Sequence, residues 1–130
     1  LVGRVRQVSA TGAEVLLITD NTSAVTARVL NPGNDSGVVR GTLNGELLLD
    51  FVDINAQISE AQQVYTTSET QAFPPNLLIG QLASVRLSDD GLFLQGTVES
   101  LVDFERLQLV LVITDFEPVE IEIFQSTPAP

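Results

Sequence analysis

Phe73-Pro74-Pro75-Asn76-Leu77-Leu78-Ile79-Gly80 is the stretch from which the rest of this chain is best read. Two successive prolines remove two backbone donors and hold the segment extended, with few hydrogen bonds of its own. Gly80 then lets the chain enter a new strand where a neighbouring backbone comes close. Moving outward, Val25, Ala27 and Val29 alternate with Thr26, Arg28 and Leu30, and Val119, Ile121 and Ile123 alternate with Glu120, Glu122 and Phe124. Both are period-two patterns of half-buried strands. Leu107, Leu109, Leu111 and Ile113 share one face and Val110 and Val112 the other, which predicts a strand covered on both sides. Further strands are predicted near 2–8, 13–19, 36–41, 46–53, 63–67, 79–88 and 91–99.

Turn chemistry separates these strands. Leu43-Asn44-Gly45-Glu46 and Asp89-Asp90-Gly91-Leu92 carry the Asn-Gly and Asp-Gly pairs that favour type I′ hairpins, with positive φ at Gly45 and Gly91. Thr19-Asp20-Asn21-Thr22-Ser23 and Asn31-Pro32-Gly33-Asn34-Asp35 are loop clusters. Residues 55–63 read as a short helical turn or a plain connection, and Asp103-Phe104-Glu105-Arg106-Leu107 as one helical turn before the last long strand. Short strands at this spacing predict an all-β chain, a small antiparallel β-barrel or sandwich. Leu16-Leu17-Ile18-Thr19-Asp20 is echoed by Leu111-Val112-Ile113-Thr114-Asp115. Two strands that each end in a Thr-Asp turn explain the echo; a duplicated barrel lobe is the alternative. The folded module is predicted over 1–124, as one barrel or two barrel-like lobes, with a frayed tail over 125–130.

Composition removes whole classes of chemistry. The 130 residues include no His, Cys or Lys. Ser–His, Cys–His and Ser–Lys nucleophile pairs, Schiff bases and His/Cys zinc sites are therefore out of reach. Mean hydropathy is +0.24, which is not the composition of a disordered chain. No apolar run approaches the ~18–20 residues of a membrane helix. Met is also absent, so Leu1 is read as the start of a fragment from which any anchor has been removed. Six Arg against seventeen acids give a net charge of −11, which argues against nucleic acid as a partner. The cations cluster early: residues 1–40 hold Arg4, Arg6, Arg28 and Arg40, and the rest only Arg86 and Arg106. Surface acids keep such a domain soluble, or select a partner with a basic face.

What chemistry remains is carboxylate chemistry. Asp20-Asn21-Thr22 and Asp115-Phe116 lack the glycine of an aspartic-protease loop. A glycosidase pair is defined by spatial separation, but the chain has no Trp and one Tyr to hold a sugar. Asp89-Asp90-Gly91 and Asn31 to Asp35 lack recognisable calcium spacing and read as turns. Thr66-Thr67-Ser68 has no base beside it and reads as hydroxyls at a strand end. No catalytic, cofactor or metal residue is predicted. Candidate partner contacts are Tyr65, Phe73, Pro74, Pro75, Leu77 and Leu78, a stiff apolar segment that costs little order on binding. Structurally, the same segment reads as a rigid connection with Phe73 packed beneath a barrel mouth.

Taken in order, Leu1-Val2-Gly3-Arg4-Val5, Leu17-Ile18-Thr19-Asp20, Val25-Thr26-Ala27-Arg28-Val29, the Phe73–Gly80 run and Leu107-Gln108-Leu109-Val110-Leu111-Val112 resemble the extracytoplasmic β-rich part of the MreC family of bacterial rod-shape proteins. The resemblance runs from about Leu1 to Ile113. Val64, Thr66 and Phe73-Pro74-Pro75 fit the family's pattern, whereas its preceding Gly-Asp turn and later glycines are replaced by Ala61 to Ala72. Loops of different conformation are expected there. The resemblance implies a non-enzymatic scaffold of cell-wall elongation that acts through protein–protein contacts and maintains rod shape. Implied partners are the elongation penicillin-binding transpeptidase and other membrane proteins of the rod complex, with self-association of the full-length protein. The implied location is extracytoplasmic, behind an N-terminal membrane helix missing from this fragment. The rival readings are an inactive or carboxylate-dependent hydrolase lobe and a secreted β-sandwich adhesin module.

Overall fold

Alternation becomes eight strands: β1 (Gly3–Val8), β2 (Ala13–Leu17), β3 (Ala24–Val29), β4 (Ser36–Gly41), β5 (Leu47–Asp53), β6 (Gln63–Thr66), β7 (Leu78–Leu87) and β8 (Phe93–Ser100). The computed structural model describes residues 1–69 and 73–115. β1 and β2 form a separate antiparallel hairpin, and the other six strands close into a barrel in the order β3-β4-β5-β8-β7-β6. The closing seam pairs Ala27 with Thr66, Arg28 with Tyr65 and Val29 with Val64. Every barrel strand then has two neighbours, so no strand of the barrel is an edge along its whole length.

The inward set of each strand fills the barrel. Val25, Ala27 and Val29 of β3, Leu49 and Val52 of β5, Val64 of β6 and Ile79 of β7 are fully buried. Each Val, Leu or Ile so placed contributes roughly 1.5–3 kcal/mol. Ile18, just after β2, and Phe73, from the proline segment, add to the same core from outside the barrel strands.

Two expectations are corrected. Residues 107–113 form no strand and are exposed, Leu109 at 91% and Leu111 at 99%. They are apolar on both faces, and with the barrel closed on itself and β1–β2 a separate hairpin, no second layer lies over them to bury both. The hairpin turns also differ from type I′. Gly45 (φ 78°) and Gly91 (φ 72°) are left-handed as expected, but Asn44 and Asp90 are not. Gly45 N–H donates to Thr42 O at 3.0 Å and Gly91 N–H to Ser88 O at 2.9 Å. Each loop is thus a four-residue turn whose last residue, the glycine, is left-handed, the type I turn with G1 bulge of longer hairpin loops. Of the two readings for 55–63, the connection is observed. Near 103–106 a single turn forms, closed by Arg106 N–H donating to Asp103 O at 3.2 Å. The strand predicted at 119–124 and the tail at 125–130 lie outside the described residues.

Candidate partner-docking face

The closing seam of the barrel is where the proline segment is held. Tyr65 on β6 sits directly across from Arg28 on β3, and the guanidinium lies over the ring, 5.5 Å from its centroid. At an exposed site such a contact is worth about 0.5–1 kcal/mol. Arg28 also donates to Asn34 Oδ1 at 3.1 Å and to Asn76 Oδ1 at 3.0 Å. Both asparagines are left-handed, with φ of 48° and 64°. Asn tolerates that conformation better than most side chains. One cation therefore joins three separate stretches of chain through neutral groups, and none of the ion pairs among the described residues includes it.

Beneath this surface Thr66 anchors the segment. Its fully buried hydroxyl donates to Pro74 O at 2.7 Å and accepts the Leu77 N–H at 2.9 Å. Main-chain bonds from Thr66 N–H to Leu77 O and from Asn76 N–H to Thr66 O complete the attachment. Of the sequence candidates, Phe73 is 4% exposed and part of the core, so its ring has little surface to offer a partner. Tyr65, Pro74, Leu77 and Leu78 are half-buried and Pro75 is exposed. Tyr65 and Leu78 are cross-strand partners, so the structure brings them together on one face. Its Oη donates to Gln63 Oε1 at 2.8 Å, which fixes the ring's outer end.

Sequence reading missed Arg28. Its signal, a cation on the polar side of a strand, is common, and its role depends on a partner 37 positions away. Missed too was Asp50, a 5%-exposed carboxylate inside the apolar run Leu47 to Val52. It accepts from the Phe51 N–H at 2.8 Å and Gln95 Nε2 at 3.0 Å, and pairs with Arg40 at 3.1 Å. A charge where the period shifts from Leu49 to Val52 was the available clue.

Among the described residues, no three His, Cys, Asp or Glu side chains gather as they would around a metal ion. A groove of about 380 Å³ lies by the start of β5 and the end of β8. Glu46 and Glu99 line it, both exposed to solvent, beside the half-buried Phe104. Asp20 and Asp90 have carboxyls held below the ordinary range, chiefly by the hydroxyls of Thr22 and Ser88 and then by the N–H groups of Thr22 and Leu92. These are turn-capping interactions.

Comparison with known proteins places this geometry. A family model described as "Rod shape-determining protein MreC, barrel core" matches residues 1–114. A cell shape-determining protein MreC from Cereibacter sphaeroides is 28% identical over 134 residues, which takes in 100% of this chain and 42% of that protein. Among solved structures, MreC from Listeria monocytogenes superposes with a TM-score of 0.72 at 24% identity, over 78% of this chain and 50% of that one. MreC in a complex with the penicillin-binding protein PBP2, from Helicobacter pylori, gives 0.65 at 17% identity, over 78% and 62%. The chain thus spans less than half the length of its curated relative.

Proposed function

We propose, on the premise that this chain belongs to the MreC family of rod shape-determining proteins, that it is the barrel of a non-enzymatic scaffold that organises cell-wall elongation by holding its transpeptidase. The observation that carries the reading is the match of the barrel to an MreC that forms a complex with a penicillin-binding protein. Dispersed acids and a sequence without His, Cys or Lys agree with a protein that binds instead of reacting. The face offered to the transpeptidase is the closing seam: Tyr65 with Arg28 stacked on it, Pro75, and the half-buried Leu77 and Leu78. It is pre-ordered by Thr66 and the two left-handed asparagines, so docking there orders little. The full protein is taken to work outside the cytoplasmic membrane, anchored by an N-terminal helix, to self-associate, and to contact other membrane proteins of the rod complex.

Isothermal titration of the chain with the extracytoplasmic part of the cell's elongation transpeptidase tests this. Tyr65→Ala with Pro75→Ala is expected to weaken binding by about tenfold or more, as loss of an aromatic anchor does, while circular dichroism stays β-like. Unchanged affinity in the folded double variant moves the interface elsewhere. No binding by the parent chain rejects the transpeptidase as its partner.

A further inference from the structure

A second feature stands on the opposite side of the barrel. In the order β3-β4-β5-β8-β7-β6, the β5–β8 seam is three strands round from the β3–β6 seam that carries Tyr65. On β5, Asp50 and Phe51 together oppose the single Gln95, because the register runs from Leu49↔Gly96 to Val52↔Leu94. Phe51 occupies φ 59°, a region an aromatic residue rarely adopts. The buried Asp50 holds it there, accepting the Phe51 N–H while Gln95 and Arg40 satisfy the rest of the carboxylate. Phe51 is left 54% exposed, edge-on to Phe93 with centroids 5.4 Å apart. Ile54 and Leu92, at 47% and 65%, extend the apolar surface at this end of the barrel. Strained backbone clusters at functional sites, and here it leaves an aromatic beside other exposed apolar side chains, as a binding anchor would be.

Charge indicates what the anchor meets. Asp53 lies across from Phe93, and Asp89 and Asp90 occupy the β7–β8 turn, all exposed. Against these three acids stands Arg86, opposite Gln95, while Arg40 is already balanced by Asp50. Two copies meeting through this face would bring like charges together, in a chain whose net charge is −11. A partner that buries its own apolar side chains and carries Lys or Arg around them meets no such cost.

We propose that the Phe51–Phe93 seam is a second docking face, which takes an apolar, Lys/Arg-flanked segment of a protein other than the transpeptidase. The inference rests on the scaffold reading, and it supplies what that reading needs: two faces on opposite sides let one barrel hold two proteins at once.

Photo-cross-linking in cells tests it, with benzoyl-phenylalanine placed at Leu92 of the full chain and, separately, at Pro75. The Leu92 probe is expected to join an apolar peptide with more Lys and Arg than acids, on a protein distinct from the transpeptidase. Phe51→Gly should lower that yield by about tenfold. The same variant should melt no lower than the parent in vitro, since glycine suits a positive φ. Asp89→Arg should also lower the yield, and Tyr65→Ala should leave it unchanged. The inference is overturned by an adduct to a second copy, to the transpeptidase or to an acidic peptide, or by a yield indifferent to Phe51. It is equally overturned, with the scaffold reading intact, when only the Pro75 probe forms an adduct. Silence from both probes rejects the scaffold reading and the second face together.

Discussion

Replacing Thr66 with Val and with Ser separates shape from hydrogen bonding at the proline segment. Val keeps the volume and removes the hydroxyl; Ser keeps the hydroxyl and removes a methyl. Thr66 is fully buried, and its Oγ1 serves the Pro74 carbonyl and the Leu77 N–H at once. In Thr66→Val both lose that partner, at about 1–3 kcal/mol for a group left buried and unpaired. Pro74 is half-buried, so its carbonyl is partly rehydrated and the lower end applies to it. The added methyl returns about 0.8 kcal/mol. A net loss of roughly 1.5–3 kcal/mol remains, or about 6–12 °C in melting temperature for a domain of this size. Thr66→Ser gives up one buried methyl, about 1 kcal/mol, for a shift of roughly 4 °C. Thermal unfolding followed by circular dichroism, with urea midpoints as a check, should rank parent above Ser above Val. Packing alone predicts the reverse order of the two variants. A Val variant as stable as the Ser variant, or more so, would refute the hydroxyl tether and the pre-ordering of the seam that depends on it.

Two further outcomes are expected. Gly91→Val should destabilise the fold by about 1–3 kcal/mol, because a β-branched residue resists the positive φ of that turn; a parent-like melt would refute the turn assignment. Acid should destabilise the chain through Asp20 and Asp90: both carboxyls are depressed in the fold, so their contribution is present above the unfolded carboxylate value and lost as pH falls through the folded one. Melting temperature against pH should drop below about pH 4. The Asp20→Asn/Asp90→Asn variant should drop less steeply, and an identical slope would show that these caps do not couple to folding.

What the sequence determined by itself is local. Val25, Ala27 and Val29 face inward because a strand's side-chain period is two, whatever the strand pairs with. Gly45 and Gly91 mark two of the tight hairpin turns because few other residues tolerate their φ. The prolines and glycine of residues 73–80 specify a stiff approach to β7, and the absence of His, Cys and Lys removes nucleophile–base pairs that use them, whatever the fold. Tertiary structure decided the rest. Residues 107–113 form a more continuous apolar run than β3 and are nonetheless exposed, because burying both faces takes a second layer that the closed barrel and the separate β1–β2 hairpin do not supply. Phe73, offered by sequence both as core and as contact, is in the core because Thr66 draws its loop over the barrel. Arg28 meets Tyr65, and Phe51 turns outward, only once registers between distant strands are set and a bulge falls at Asp50. Periodicity and turn propensity belong to a few consecutive residues. Register, closure and exposure belong to pairs of segments tens of residues apart, and depend on which edges the other strands have already taken.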